Sequence, residues 1–325
     1  MSVDPKRRQL LAGALALAAP AALRAQPAFP ARAVTLVVPY TAGGASDLGA
    51  RMLNGELGKA LGQTVVVDNV AGAAGALGVQ KVVRAPADGH TLLYGSLSEA
   101  LLVPLIHPQA GYRVDDLRPV ALVGGAPAVF VTRPDFPAAS MDAFIALARR
   151  QPGRFSYGSP GIGTFQHVMG EAFKAKAGVF MVHIPYRGGA QIMADVIGGQ
   201  IDLGITSAPS AAGFIASGRL KAIGSTGRTR LAALPQAQAF GESAVLKGLE
   251  LSTWGMVYAP AATPEPVVAR LNTAINQVLM LPALVQQRAA LGAELPAVLT
   301  PAQATAFVAA ERAQYAPIVK TITFE

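Results

Sequence analysis

The chain has 325 residues, of which 52% are hydrophobic and 14% charged, with a formal net charge of +8 and no cysteine. The length points to two domains, because a single core stops growing near about 250–300 residues. The apolar fraction excludes a disordered chain, 34 glycines and 24 prolines without a period exclude a collagen, and the lack of cysteine excludes disulfides, thiolate metal sites and a cysteine nucleophile.

Residues 1–25 read as an export signal. Lys6, Arg7 and Arg8 form a basic start, Leu10 to Leu23 form an apolar stretch, and a cleavage point follows near Ala25. Arg7-Arg8 also resembles a twin-arginine signal, so the general and the twin-arginine export routes both stay open. Removal would lower the net charge from +8 to +5. No basic run with interleaved aromatics remains, so no nucleic-acid partner is expected. No later run of about 18 apolar residues appears, which predicts a soluble chain in a bacterial periplasm.

Strand and helix signals then alternate. Val34 to Val38 is a nearly continuous apolar run, as in a strand covered on both faces. A glycine-rich turn follows, then a helix with Leu48, Met52, Leu53, Leu57 and Leu61 placed on one face. Thr64 to Asp68 is a second strand, Ala73 to Arg84 a helix, and His90 to Gly95 a third strand. This is the rhythm of a parallel, doubly wound sheet. A second unit runs from a helix at Ser140 to Gln151 through a strand at Phe155 to Tyr157 and a Gly-rich loop. Its next helix is capped by Thr164 and carries Phe165, Val168, Met169, Ala172 and Phe173 as a stripe. Further strands fall at Ile201–Ile205, Leu220–Ser225 and Ser252–Ala259, with a helical C-terminal third punctuated by Pro282 and Pro301. Crossovers near Ala126–Pro134 and Leu249–Pro260 give a discontinuous first domain (26–128 plus 252–325) and an inserted second domain (129–251). The cleft between them is the expected ligand site.

Two loops carry the chemistry. Tyr40-Thr41-Ala42-Gly43-Gly44-Ala45-Ser46-Asp47 joins a buried strand to a helix N-terminus, and Ser159-Pro160-Gly161-Ile162-Gly163-Thr164 repeats the arrangement in the second unit. Unpaired N–H groups of a first helical turn favour an anion, so two such loops would form a pincer for a carboxylate. Neither loop contains lysine or arginine, which argues against a phosphate-binding P-loop. Asn69 could face the cleft or cap its turn, and Ser96 and Ser98 could donate hydroxyls or cap helices. Tyr186 could donate to a carboxylate, with Arg187 adding charge or lying on the surface. His167 and Asp202 read as packing and hydrogen-bonding residues rather than catalytic ones. No G-x-S-x-G elbow and no H-x-x-x-H pair is present, so neither an enzyme nor a metal site is expected, and no cofactor is called for.

Five segments together resemble one family: P-A-R-A-V-T-L-V-V-P-Y-T-A-G-G-A-S-D, V-V-D-N-V-A-G-A-A-G-A-L-G, P-A-D-G-H-T-L-L, Y-G-S-P-G-I-G-T-F-Q-H-V-M-G-E and H-I-P-Y-R-G-G-A-Q-I-M-A-D-V-I-G-G-Q-I-D-L. In this order they are similar to the Bug family, the periplasmic solute-binding components of tripartite tricarboxylate transporters. The resemblance implies a two-domain, type II (Venus-flytrap) binding protein of the α/β class. It further implies a monomer that captures a small carboxylate without turnover and delivers it to membrane permease subunits. The family's carboxylate is held by backbone N–H groups and waters of the two loops, and its Asn and Tyr positions fall on Asn69 and Tyr186. Three places depart from the family pattern. Val70-Ala71 stands where the family commonly has Arg-Pro, Thr206 stands in place of a carboxylate, and Leu97 and Glu99 stand where many members carry alanine or histidine. A sensor feeding a signalling partner would share the same pocket, and an exported hydrolase using Ser159 is the third possibility.

Overall fold

The computed structural model describes residues 29–291, 293 and 297–320. The expected export segment, residues 1–25, lies outside them.

The first βαβ unit runs from β1 (Val34–Val38) through α1 (Ala45–Leu61) to β2 (Val65–Asn69), then α2 (Ala76–Val83) and β3 (Thr91–Ser96). After a π-helical turn at Ser98–Leu102 come α3 (Val103–Ile106) and the 16-residue β4 (Leu117–Thr132). The second unit contains α4 (Met141–Arg150), β5 (Ser156–Ser159), α5 (Phe165–Ala177), β6 (Val182–Pro185), α6 (Gly189–Ile197), β7 (Leu203–Ser207), α7 (Ala208–Ala216), β8 (Lys221–Ser225) and β9 (Gln238–Ala239). The chain returns through β10 (Ser252–Pro260) and closes with α8 (Glu265–Leu279), α9 (Pro282–Ala290) and α10 (Pro301–Lys320).

The sheets are mixed rather than wholly parallel. β2, β1 and β3 are parallel neighbours, and β10 then inserts antiparallel between β3 and β4. In the second sheet β6, β5 and β7 are parallel, while β4 runs antiparallel between β7 and β8. β4 therefore belongs to both sheets. Residues 117–127 pair with β10, and residues 128–132 pair with β7 and β8. The return through β10 is what a repeating βαβ reading cannot anticipate, because pairing direction has no local signature.

α1, α8 and α9 cover one face of the first sheet, and α2 and α10 cover the other. α4 and α5 cover one face of the second sheet, where Phe130, Phe144, Phe155, Phe173 and Phe240 pack ring against ring. α6 and α7 cover its other face. The buried stripe of α1 is Ala50, Leu53, Leu57 and Leu61. Each leucine there contributes about 1.5–3 kcal/mol by burial. Leu48 and Met52, which the sequence places on the same face, instead leave the core and turn to the cleft. The expected helix from Ala73 also begins late. Ala73 and Ala74 take left-handed backbone angles (φ 48° and 53°), and the α-helix starts at Ala76.

Candidate functional site

The cleft is closed by contacts between opposite sides. An added Cβ on Gly43 would lie 3.8 Å from Ala190, and one on Gly161 would lie 3.0 Å from Ala74 Cβ. The Phe165 N–H, at the first turn of α5, donates to Ser98 Oγ at 2.9 Å across 67 residues of sequence. That bond supplies the helix cap. Thr164, the expected cap, turns its hydroxyl back to Gly161 O at 2.7 Å. Ala74 sits in its sparsely populated conformation at one of these contacts, where such strain is typically held by surrounding structure.

Four helices begin around one chamber of about 150 Å³. Its wall includes Ala45 and Ser46 of α1, Gln166 of α5, Gly189 of α6 and Pro209 of α7. The α1 ladder opens with Leu48 N–H donating to Gly44 O at 2.9 Å, so the N–H groups of Ala45 and Ser46 lie ahead of it. Each helix start carries roughly half a positive charge. Converging on one space, they make a field for an anion, and the buried Arg288 of α9 also forms part of the wall. The hydroxyls of Ser98, Thr206 and Ser207 add further polar groups, and Leu48, Met52, Tyr94 and Trp254 form an apolar flank.

Of the residues singled out from sequence, Tyr40, Gly44, Ser46, Ser96, Ser98 and Thr206 line this chamber. The others are placed behind or beside it. Asp47 is buried, and its carboxylate accepts from Gly43 N–H (2.8 Å), Asn69 Nδ2 (3.0 Å) and Arg51 Nε (3.0 Å). Burial alone would raise its pKa, but the bonds from Arg51, the Gly43 N–H and Asn69 outweigh that and hold it below the usual carboxylate range. Asn69 also donates to Tyr40 O at 3.1 Å. Asp47 and Asn69 thus fix the loop's shape, and the Gly43 N–H is spent on Asp47. Ala42 and Gly43 sit at the exposed rim, and Thr41 faces Gly188 across the cleft. Gly161 and Tyr186 line a neighbouring recess of about 490 Å³, where the Tyr186 hydroxyl donates to Asp195 Oδ2 at 2.6 Å. The Gly163 N–H donates to His167 Nδ1 at 3.1 Å.

Glu99 is fully buried directly behind the chamber. It accepts from Ser96 Oγ (2.6 Å), from the Ser96 N–H and from the Tyr40 hydroxyl (2.8 Å). Burial raises its pKa, opposed by those same bonds. It takes the hydroxyl protons of two wall residues and so fixes Tyr40 and Ser96 in place.

Ser159 Oγ lies 2.6 Å from His183 Nε2, a spacing a hydrolase would need. Yet Ser159 is fully buried and borders neither cavity. Its partner's ring is stacked on His167 at 3.9 Å between centroids. Burial lowers His183 to about 3, with His167 adding, and lowers His167 to about 4, with Lys174 and His107 adding. The pair is a packed support for the second loop. Unfolded histidine titrates near about 6.5. Because the folded values are depressed, the stability these residues contribute is complete above about pH 6.5 and is lost as pH falls toward the folded values. The Tm is expected to drop between about pH 7 and pH 4. His183→Gln should flatten that slope, and an unchanged slope would remove this assignment.

The residues missed from sequence include Leu48 and Met52 on α1, Gly189 on α6 and Pro209 on α7, together with Tyr94, Trp254 and Arg288. One signal was present: Leu48 and Met52 lie off the Ala50–Leu53–Leu57–Leu61 stripe, so α1 carries a second apolar strip.

Two α/β lobes sharing a strand and closing over a chamber rimmed by helix N-termini define a type II periplasmic binding protein. The model of the tripartite tricarboxylate transporter family receptor, TctC, matches residues 49–324, and the chain belongs to that family of non-catalytic solute-binding proteins. It is 35% identical to BugT of Bordetella pertussis over 294 residues, covering 90% of each chain. Two similar structures come from Rhodopseudomonas palustris. One is a complex with adipate (30% identity, TM-score 0.87, 91% of this chain and 99% of that one), and the other is MatC with bound malate (28%, TM-score 0.85, 90% and 100%).

Proposed function

We propose that this protein captures a small organic acid in the closed cleft and hands it to the membrane permease subunits of a tripartite transporter. It acts in the periplasm, as a monomer, after removal of its first 25 or so residues. The lobes that close are residues 26–128 with 252–325, and residues 129–251. The observation that carries the reading is the convergence of four helix starts on a chamber whose described wall holds no acidic side chain. Such a space favours an anion and gives nothing with which to cleave it. The chamber-lining hydroxyls of Ser46 and Thr206 complete the ligand's hydrogen bonding, and Ser96, held by Glu99, shapes the wall. Gly43, Asp47, Asn69, Ser159 and Thr164 hold the two loops in shape.

The test is thermal denaturation of the protein lacking residues 1–25, after refolding to strip carried-over ligand. The panel contains malate, adipate, monocarboxylates and the matching uncharged amides. A ligand at a hundred times its Kd adds about 2.7 kcal/mol, which for a chain of this size raises Tm by several degrees. A shift with one or more acids and none with the amides is expected. No shift with any acid would overturn the reading.

A further inference from the structure

A carboxyl group stands directly behind a space that favours anions. Ser96 and Tyr40, two residues of the chamber wall, donate their hydroxyl protons to Glu99 Oε2 at 2.6 and 2.8 Å, and the Ser96 N–H donates to Oε1. These neutral donors offset part of the cost of burying a charge, while burial itself raises the pKa. A ligand anion in the chamber would face the Glu99 carboxylate across one wall. Like charges so placed repel strongly away from water, and the buried one is pushed toward its protonated form.

The bonding around Glu99 has a place for that proton. With Oε2 protonated, its O–H donates to the Tyr40 phenol oxygen, because a phenol accepts as well as donates. The Tyr40 proton then turns to Ala74 O, which lies 3.3 Å away. No side chain has to leave its position. Ala74 is also the residue that meets Gly161 across the cleft, and Ser98, next to Glu99 in the chain, caps α5 of the other lobe. The proton's place is thus joined both to the chamber wall and to the contacts that close it.

We infer that Glu99 binds a proton together with the ligand: as an organic acid enters the chamber and the lobes close, the carboxylate takes one proton from solvent at Oε2, so that anion and proton are captured as a pair. The inference rests on the carboxylate-binding reading above and adds a second species to it. Binding is then tighter at lower pH for as long as the acid itself stays ionised.

Tyr40, Tyr112 and Tyr258 feel the charge of Glu99. Burial raises each phenol and the carboxylate raises it further, so these groups stay protonated near neutral pH. Of the elements packed on its turn, α10 brings Glu311, bonded to Trp254 Nε1, and Arg312, paired with Asp115. It also brings Tyr315, bonded to Ser252 O. α2 brings Lys81, paired with Asp68, and β3 brings Tyr94 with Arg288 beside it. His107, just past α3, lies by Gly163 in the neighbouring recess and is the competing site for a proton drawn in by an anion.

The test is calorimetric titration of adipate and of malate into the parent, Glu99→Gln, His107→Gln and Tyr40→Phe, each in two buffers of different ionisation enthalpy. The range is about pH 7 to 9, well above the titration of a free carboxylic acid. The buffer dependence of the heat counts the protons taken up per ligand. In the parent the count should reach about half a proton or more, with the Kd weakening about fivefold or more across the range. In Glu99→Gln it should fall below about a tenth of a proton, with the Kd varying less than about twofold. His107→Gln should match the parent. Tyr40→Phe removes one donor to the carboxylate and should move the pH of greatest uptake upward by about one unit, which decides the matter if Glu99→Gln folds poorly. Binding by the parent without proton uptake would overturn the inference and leave the carboxylate-binding reading standing. So would uptake that survives in Glu99→Gln, disappears in His107→Gln or keeps its pH profile in Tyr40→Phe. A parent that binds no acid would overturn both.

Discussion

Gly188→Ala is expected to fold normally and to lose about 10- to 100-fold in ligand affinity. The backbone at Gly188 is extended (φ 173°), so alanine fits the local conformation without strain. The obstacle is on the other side of the cleft. The new Cβ would stand 2.1 Å from Thr41 Oγ1 and 3.3 Å from both Thr41 Cβ and its main-chain N. Overpacking of this kind costs about 1–3 kcal/mol. It is incurred only when the lobes come together, so it acts on the closed state and passes into the apparent Kd. The ligand-free Tm should stay within a degree or two of the parent. Adding Thr41→Ala removes the clashing hydroxyl and should restore most of the affinity. The check is calorimetry on the parent, the single and the double variant with whichever acid gives the largest thermal shift. Parent-like binding by Gly188→Ala would mean that the ligand is held without this contact.

Asp47→Ala should have the opposite profile, with a large loss of stability first and weaker binding as its consequence. The carboxylate organises Gly43, Asn69 and Arg51 at once, and its side chain is only 3% exposed. Arg51 is half exposed, so its ion pair adds little. The bonds to the Gly43 N–H and to Asn69 are the substantial ones. Losing charge-assisted bonds at a buried carboxylate costs about 2–3 kcal/mol, and the Tm should fall by several degrees. Asp47 has a depressed folded pKa, so its contribution is full above the unfolded carboxylate value and is lost as pH falls through the folded one. In the variant, the stability difference from the parent should therefore shrink in strong acid. A difference that stays constant from neutral pH down to about 2 would show that the charge is not what matters. A Tm equal to the parent's would make Asp47 a ligand-binding group after all.

The fold was legible where local chemistry decides it. Val34 to Val38, the apolar stripe beginning at Phe165 and the breaks at Pro282 and Pro301 all follow from burial periodicity and backbone limits, and they recur in the structure. The two βα loops were legible for the same reason, since glycines ahead of an apolar helix leave a pattern. What was not legible depends on partners distant in sequence. Nothing near Ser98 says that it caps a helix 67 residues away, and nothing near Asp47 says that its carboxylate turns inward to Asn69. Arg288 was unreadable in another way. It is an unremarkable basic residue in a polar stretch until α9 is folded against Val123 and Tyr94.

β4 and β10 carry a consequence for building new molecules from this one. The chain enters the second sheet just after Pro127 and comes back at Ser252, and those two residues are paired neighbours in the ladder. The whole intervening excursion thus leaves and re-enters through adjacent rungs, like a cassette seated in a two-pin socket. Chimeras spliced at Pro127 and Ser252 would exchange the face that supplies Gly189 and Thr206 while keeping Ser46 and Arg288 from the parent. The two walls of the chamber can therefore be inherited separately, and relatives with different appetites become a source of interchangeable halves.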